Sequence, residues 1–346
     1  MAQASLLGLY DPDRSKVVLK SGQQASWKEF VSVLSTKLKE WELSGGEGLR
    51  ILTGSVNSPT LGAQIKKILE RFPKAKWHRF DPVHIDEARR AQKAAFGSYA
   101  DPIYDFSKAE VIVSLGSNFL TDLPGSLRYA SQFGSRRKPH DKNPMSRLYT
   151  VEADPTLTGA SADHVLHVKV SKMIAVAESL AQRVGVNNIQ PASNVKLTSE
   201  EQHWLDVASK DLRRTAGKSL IVAGEMLPAR IQALTIAMND HLGNTNQTIS
   251  WIDPIEEDVI LHGVSMTELA TDIRDRKVSA LIIAGVNPGY STPGDLPFDK
   301  LLSSVPLARI MGCMPMKPRR HRNGIFPPLI FLNIFPTAAL RMEPRP

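Results

Sequence analysis

The chain has 346 residues, a length that favours two domains over one. Its residues are 42% hydrophobic and 23% charged, which is typical of a globular protein. Its formal net charge is +8, but the segment from Arg309 onward holds seven basic residues against the single acid Glu343, so it carries +6 of that charge. The rest of the chain is nearly neutral, which argues against a nucleic-acid partner.

The first half of the chain alternates predicted helices and short strands. Ser26 and Glu29 form a capping-box pattern that predicts a helix. An apolar run predicts a strand at Leu49–Thr53, and the pair Ser58-Pro59 predicts the start of a second helix. The elements predicted next are a strand at 77–80, a helix at 85–96, a strand at 111–115, and a strand ending in an acid within 147–156.

The second half continues this alternation up to the basic tail. A strand at 165–170 and a helix at 171–184 precede a polar linker at 185–196. Two more capping boxes, at 198–201 and 265–268, predict helices, and the second helix leads to a strand around Leu281. Between these boxes we predict a strand at 219–223, a helix at 228–242 and a strand at 248–252. From Arg309 onward we predict neither helix nor strand.

One pattern, an apolar run ending in a glycine turn and followed by asparagine, is repeated along the chain. It occurs at 109–118 and 278–288, in a looser form at 51–57, and without the asparagine at 220–224. Such short apolar runs between helices are typical of buried parallel strands in an α/β fold. The glycine turns leave backbone N–H groups at the carboxyl edge of the sheet, where α/β proteins bind ligands.

The single cysteine limits the redox chemistry that this chain can support. Cys313 alone permits neither an intramolecular disulfide nor an iron–sulfur cluster held only by this chain. We find no run of 18 apolar residues and no signal-peptide pattern after Met1, so we expect no direct membrane insertion. As written, the sequence predicts a cytoplasmic location.

With these units placed, the chain resembles the molybdopterin oxidoreductase superfamily. The matching segments, in family order, are residues 9–14, 109–118, 152–163 and 281–288. Within that superfamily it closely resembles the cofactor-free molybdopterin-oxidoreductase-like domain in the iron–sulfur subunit of alternative complex III, a quinol:electron-acceptor oxidoreductase. Residues 2–15, 58–60, 147–152 and 155–160 carry this closer resemblance.

The resemblance implies two Rossmann-like parallel-sheet α/β units, one inserted in the other. The first unit would consist of residues 1–90 and 250–308, the inserted unit of residues 91–249, and residues 309–346 would be a non-homologous tail. The strand at 49–53 would then share a sheet with that at 280–284. The strands around Val111, Tyr149 and Leu220 would form the other sheet.

The resemblance also implies partners and a location for the full-length protein. Relatives assemble with the other subunits of a membrane-bound respiratory complex at the periplasmic face of the inner membrane. They begin with a twin-arginine-like signal and continue into ferredoxin-type cysteine motifs that bind iron–sulfur clusters. Because both features are missing here, we expect an N-terminal fragment whose residues after about Leu307 are frameshifted and lie outside the core.

Six residues form the candidate dinucleotide site that the resemblance suggests: Gly116, Ser117, Asn118, Asp154, Gly285 and Asn287. One interpretation is that free N–H groups and amide side chains at the two strand ends bind phosphates. The alternative is that each glycine makes a turn and each asparagine caps the following helix. No G-x-G-x-x-G pattern favours the first interpretation.

The remaining candidate residues weaken the case for a bound cofactor. Asp154 stands where active relatives bind the guanosine ribose, but Thr156 replaces the arginine that would pair with phosphate. The body of the chain has no cysteine to bind molybdenum, although a serine or aspartate ligand stays open. His164 and His167 lie three apart on a predicted strand, so their rings should point to opposite faces rather than share a metal.

Three hypotheses follow from these residues. The first is a degenerate scaffold domain without cofactor or redox centre of its own. The second is a truncated catalytic molybdopterin oxidoreductase that binds bis-molybdopterin guanine dinucleotide. The third is an unrelated nucleotide-binding α/β protein.

Overall fold

The structure is a computed structural model that describes residues 10, 18–20, 23–138, 145–191, 194–311 and 330–332. The chain divides into two compact units. We call them the first unit, which holds residues up to His84 and from Glu256 onward, and the inserted unit, Ile85–Ile255. In the described residues, no helix is both long and apolar enough to cross a membrane.

The regular elements follow one another in the order expected of an α/β protein. The strands are β1 (Val18–Lys20), β2 (Gln23–Ala25), β3 (Leu49–Thr53), β4 (Lys76–Arg79), β5 (Asp101–Tyr104), β6 (Val111–Leu115), β7 (Arg147–Glu152), β8 (His164–His167), β9 (Ser219–Ala223), β10 (Ile249–Ile252), β11 (Ala280–Ala284), β12 (Leu307–Met311) and β13 (Ile330–Leu332). The helices are α1 (Trp27–Ser44), α2 (Pro59–Arg71), α3 (Asp86–Phe96), α4 (Ser126–Arg136), α5 (Leu157–Ala160), α6 (Met173–Val184), α7 (Ser199–Arg214), α8 (Ala229–His241), α9 (His262–Arg274), α10 (Pro288–Ser291) and α11 (Phe298–Ser303).

The first unit is built on a sheet with the strand order β2-β1-β13-β12-β11-β3-β4. Strands β12, β11, β3 and β4 are parallel, and Ile283 of β11 is in register with Leu52 of β3. This pairing confirms the prediction that the strands at 49–53 and 280–284 share a sheet. Both residues are buried in an apolar cluster that includes Met266 and Leu269 of α9.

The beginning of the tail differs from the prediction. We predicted no strand from Arg309 onward, yet β12 runs to Met311 in parallel with β11, and β13 pairs with both β12 and β1. The physical reason is that β11 presents a row of backbone N–H and C=O groups, which a neighbouring segment can bond whatever its side chains. Residues 312–329 and 333–346, and with them most of the predicted tail, lie outside the described residues.

The inserted unit is built on a parallel sheet with the order β8-β7-β6-β9 and has a separate antiparallel pair, β5 and β10. All five residues of β6 are buried, because apolar clusters cover both faces of the sheet. On one face, Phe106 stacks on Phe119 with ring centroids 4.3 Å apart. The pairing of β6 with β7 and β9 confirms the second predicted sheet, and the fold is the predicted α/β class with Rossmann-like units.

Most of the helix starts predicted from local capping patterns in the sequence are present in the structure. The capping boxes at Ser26 and Thr198 are present, and Ser58 caps α2 as predicted. The prediction for Ser265 was wrong, because α9 already begins at His262. Ser265 lies inside that helix, and its hydroxyl accepts a hydrogen bond from the backbone N–H of Arg79 at 3.0 Å. A tertiary contact to β4 therefore uses the side chain that the sequence suggested as a cap.

Candidate functional site

The glycine turn after β6 has two apolar side chains beside it, those of Leu227 and Met173. Gly116 has a φ of +58°, and its N–H donates to the carbonyl of Val151 at 2.7 Å. A Cβ placed on Gly116 would lie 3.3 Å from both Leu227 Cδ1 and Met173 Cε. The positive φ explains the glycine as a turn residue. The two apolar side chains also leave little room for a side chain at position 116.

Ser117, the next residue of this turn, is held by Ser114 at the end of β6. Its N–H donates to Ser114 Oγ at 3.2 Å, and Ser114 Oγ donates to the Ser117 carbonyl at 2.7 Å. Within the described residues, Ser117 Oγ is buried and has no hydrogen-bond partner. The backbone N–H groups of Gly116 and Ser117 thus both have acceptors within the protein.

Asn118 links two loops of the inserted unit. Its Oδ1 accepts hydrogen bonds from Thr158 Oγ1 at 2.9 Å and from the Thr158 N–H at 3.3 Å. Its Nδ2 donates to Asp122 Oδ2 at 3.1 Å and also to Thr121 Oγ1. The amide is therefore fully engaged in joining the loop after β6 to the loop after β7. The structural alternative predicted a cap on the helix that follows Asn118, whereas the contacts of its Oδ1 lie at the start of α5, after β7.

The loop after β7 contains Asp154 and Thr156. Asp154 is exposed and forms no hydrogen bond or ion pair with a described residue. Thr156, at the position of the expected arginine, is the N-cap of α5 and accepts from the Gly159 N–H at 3.0 Å. Its hydroxyl also donates to Glu152 Oε2 at 2.8 Å, and Glu152 is only 5% exposed. Thr156 therefore stabilises its own loop.

Replacing Thr156 by arginine should consequently weaken the fold rather than create a phosphate site. We expect Thr156→Arg to lower the free energy of unfolding by about 1 kcal/mol, because it removes a helix cap. Thr156→Ser retains the hydroxyl and is the matched control, with an expected change close to zero. Urea denaturation of both variants measures this difference, and an arginine variant that gains stability with inorganic phosphate would contradict the expectation.

Gly285 and Asn287 form the corresponding turn in the first unit. Gly285 has a φ of +73°, and no atom lies within 4 Å of a Cβ placed there. The Asn287 carbonyl accepts from the N–H groups of Tyr290 and Ser291, each at 3.0 Å, at the start of α10, but its side chain makes no cap. These two residues belong to the first unit and Gly116 to the inserted unit, so a common crevice stays a prediction.

A polar cluster in the first unit was missed by the sequence reasoning. It lies where β3 and β4 end, around the turn at Gly54. The Ser55 N–H and Ser55 Oγ both donate to Asp81 Oδ2, at 2.8 and 2.7 Å. A Cβ on Gly54 would lie 2.6 Å from Asp81 Oδ1, so the glycine is needed for this close approach. A carboxylate of the chain itself thus takes the place of an anionic ligand at the turn.

His262 completes this cluster but does not activate Ser55. Its Nδ1 accepts a hydrogen bond from the Asp81 N–H at 2.9 Å, which assigns the proton of the neutral ring to Nε2. Nε2 is 3.5 Å from Ser55 Oγ and 3.5 Å from Glu256 Oε1. In a catalytic triad the ring nitrogen facing the serine must accept its proton. Here that nitrogen carries a proton and the serine donates to Asp81, so the cluster is not a hydrolytic triad.

The histidines singled out in the sequence lie on β8, and both are exposed. The His164 ring stacks on Tyr149 with centroids 4.7 Å apart. Across the described ranges 23–138, 145–191 and 194–311, no group of three or more His, Cys, Asp or Glu side chains is placed to hold a metal ion.

Comparisons with known proteins identify the fold but not a sequence family. No family model and no curated protein sequence matches the chain. Among solved structures, acetylene hydratase from Pelobacter acetylenicus aligns with a TM-score of 0.59 and 13% identity, over 90% of this chain and 54% of that one. The formyltransferase/hydrolase complex from Methylorubrum extorquens, in complex with methylofuran, aligns with a TM-score of 0.53 and 12% identity, over 92% and 86%.

These similarities establish a class of fold. The chain has the α/β architecture found in acetylene hydratase, and it spans about half the length of that protein. Identities of 12 and 13% show a related fold alone.

Proposed function

We propose that this chain is a molybdopterin-oxidoreductase-like scaffold domain in the iron–sulfur subunit of a respiratory quinol:electron-acceptor oxidoreductase. In this role it binds no pterin dinucleotide and holds no redox centre of its own. Its partners are the other subunits of a membrane-bound complex, and the assembled protein acts at the periplasmic face of the inner membrane. The fold shared with acetylene hydratase and the sequence motifs of the alternative complex III branch support this proposal.

The observation that carries the proposal is the internal use of N–H groups at the strand ends. A pyrophosphate bound at such turns needs backbone N–H donors that point at it. The donors of Gly116 and Ser117 are bonded to Val151 and Ser114, and that of Ser55 is bonded to Asp81. A phosphate would have to displace these acceptors, and the loop after β7 offers it no arginine.

Native purification tests this proposal directly. We expect the protein purified from its own cells to contain far less than one molybdenum or tungsten per chain, and to show no pterin fluorescence after oxidation. It should also co-purify with iron–sulfur and quinol-oxidising subunits. Stoichiometric metal with a pterin would overturn the scaffold role and identify a catalytic molybdopterin oxidoreductase.

A thermal-shift titration with guanosine diphosphate tests the nucleotide-binding alternative. A ligand at about a hundred times its dissociation constant adds about 2.7 kcal/mol to the free energy of unfolding. We expect no shift beyond that given by inorganic phosphate at equal ionic strength. A saturable shift would support an unrelated nucleotide-binding protein.

Substitutions of two aspartates in the inserted unit, one without a partner and one with partners, test the role of this unit in the assembled complex. Asp154 has no described partner, whereas Asp211 accepts hydrogen bonds from the Tyr149 hydroxyl at 2.7 Å and from Arg147. We expect Asp154→Ala to leave quinol oxidation by the complex unchanged. Asp211→Ala should reduce the amount of assembled complex, because it leaves the Tyr149 hydroxyl without its acceptor.

A further inference from the structure

The inserted unit contains a small, partly enclosed cavity at the carboxyl end of β9. Its walls come from α3, α8 and the antiparallel pair β5 and β10, and its volume is about 50 Å³. One water molecule needs roughly 10–15 Å³ measured in this way. The cavity therefore has room for several heavy atoms, and Glu225, which follows the Gly224 turn, lines it together with Tyr104, Thr235 and Trp251.

Glu225 brings an unpaired charge to this cavity. It makes no hydrogen bond or ion pair with any residue that the structure describes. The neighbouring carboxylate of Asp101 is already engaged, because it accepts from Arg89 at 2.6 Å and from the Ile255 N–H at 2.9 Å. Burial, reinforced by the charge of Asp101, raises the pKa of Glu225, while Arg89 opposes this effect. A carboxylate in such surroundings is stabilised by a bound cation.

Two hydroxyl groups also line the cavity, in addition to the side chains of Gln92, Gln232 and Asn239. Thr235 is only 7% exposed, and its Oγ1 is buried without a hydrogen-bond partner among the described residues. The Tyr104 hydroxyl also has no hydrogen bond to a described residue, and burial raises the pKa of Tyr104, so it stays protonated and can accept a bond. Glu225, Thr235 and Tyr104 thus offer one carboxylate and two hydroxyl acceptors next to the rings of Tyr104 and Trp251.

The chemistry of these groups selects one type of ligand. A primary ammonium group carries one positive charge and three N–H donors, which match one carboxylate and two hydroxyls. Aromatic rings add favourable contacts to such a cation. A calcium ion requires six to eight oxygen ligands and magnesium an octahedron, and one free carboxylate with two hydroxyls does not supply them.

We propose that this cavity binds a small primary alkylammonium ion, with Glu225 as its counter-charge and the hydroxyls of Thr235 and Tyr104 accepting its remaining N–H bonds. The cavity volume restricts the alkyl group to a few carbons. Glu225 directly follows Gly224, which packs closely against the Gly116 turn, but the ligand proposed here is a cation and the proposal does not depend on the scaffold role.

Calorimetric titration of the full chain with methylammonium and ethylammonium chloride tests the site. We expect saturable binding of both ions at constant ionic strength. Methanol and ethanol, which are similar in size but uncharged, should give no saturable heat, and hexylammonium should bind about tenfold more weakly because it exceeds the cavity. Equal binding of ethanol and ethylammonium, or no binding by a folded protein, would overturn the proposal and leave a water-filled cavity.

Three variants separate ligand binding from folding. Glu225→Gln should weaken ethylammonium binding by more than tenfold, because it removes the counter-charge in the cavity. Thr235→Val retains the side-chain shape and should weaken binding several-fold while the circular dichroism spectrum stays unchanged. Glu70→Gln, at an exposed position of α2, is the matched control and should bind like the parent protein. Unchanged binding in a folded Glu225→Gln variant would disprove the assigned counter-charge.

Discussion

Gly224→Ala should lower the free energy of unfolding of the inserted unit by about 3 kcal/mol or more, the upper part of the range for overpacked positions. A Cβ at Gly224 would lie 2.2 Å from the carbonyl oxygen of Gly116 and 2.9 Å from its carbonyl carbon. Both atoms belong to the backbone, so no side-chain rotation relieves the clash. The Gly224 N–H also donates to the Leu115 carbonyl at 2.9 Å, and any shift of the turn weakens this bond.

Gly134→Ala is the matched control for this prediction. Gly134 lies within α4, and no atom is found within 4 Å of a Cβ placed there. Alanine in a helix interior is favoured over glycine by about 0.5–1 kcal/mol, so we expect a small gain in stability. Urea denaturation of both variants measures the difference. If Gly224→Ala unfolds at the same urea concentration as the parent, the close approach of the two turns is wrong.

Asp272→Ala should destabilise the first unit by about 3–5 kcal/mol, because it leaves a buried guanidinium without its counter-charge. Arg50 on β3 and Asp272 on α9 are 5% and 6% exposed, and Arg50 donates from Nε at 3.0 Å and from Nη2 at 2.7 Å to Asp272 Oδ2. Lys76 of β4 donates to the same oxygen at 3.2 Å. The carboxylate thus joins α9 to two neighbouring strands of the sheet.

The pH dependence of this contribution has a definite sign. Burial alone would raise the pKa of Asp272, but hydrogen bonds from Arg50 and Lys76 outweigh it and hold the pKa below its usual value. A carboxyl group with a depressed pKa contributes stability above its unfolded-state pKa, about 3.9, and loses it as the pH falls through the folded-state value. The difference between the parent and Asp272→Ala should therefore be full at pH 7 and shrink below about pH 4.

An exposed aspartate next to the same helix is the control for Asp272. Asp275 forms its ion pair with Lys277 at 2.8 Å, and both side chains face solvent. Exposed ion pairs are screened by water and salt, so Asp275→Ala should leave the denaturation curve nearly unchanged. Equal losses from the two substitutions would show that burial of the Arg50 pair is not what stabilises the fold.

The elements that the sequence predicted well are those with local causes. Leu49–Thr53 and Val111–Leu115 are short, mainly apolar segments, and every residue in both is buried, as expected when both faces of a sheet are covered. Ser26 and Thr198 cap their helices through residues only three positions away. By contrast, β5 pairs with β10 across more than a hundred residues, and no local pattern in Asp101–Tyr104 indicated a strand. Pairing between strands so far apart in the sequence depends on the fold and cannot be predicted from a short segment alone.

In the candidate site, too, local features were predicted from the sequence and long-range contacts were not. The sequence identified the glycine turns at Gly116 and Gly285, and both have the positive φ that favours glycine. It did not indicate that Asp81 would accept from Ser55, or that Glu225 would lie in a cavity without a partner. The sequence did contain a signal for the contact between Ser55 and Asp81, because Asp81 directly follows the predicted strand at 77–80.

The α/β class, the buried strands and the turns could be predicted from short sequence patterns, because hydrophobic periodicity, caps and glycines act within a few residues of one another. Which polar groups at those turns are free to bind a ligand depends instead on contacts between distant parts of the chain. Asn118, for example, has the residue type of a phosphate ligand, yet Thr158, forty positions further along the chain, engages its side-chain oxygen. A hydrogen-bonding group is available only when no other part of the folded chain has taken it, and that depends on every segment packed around the site.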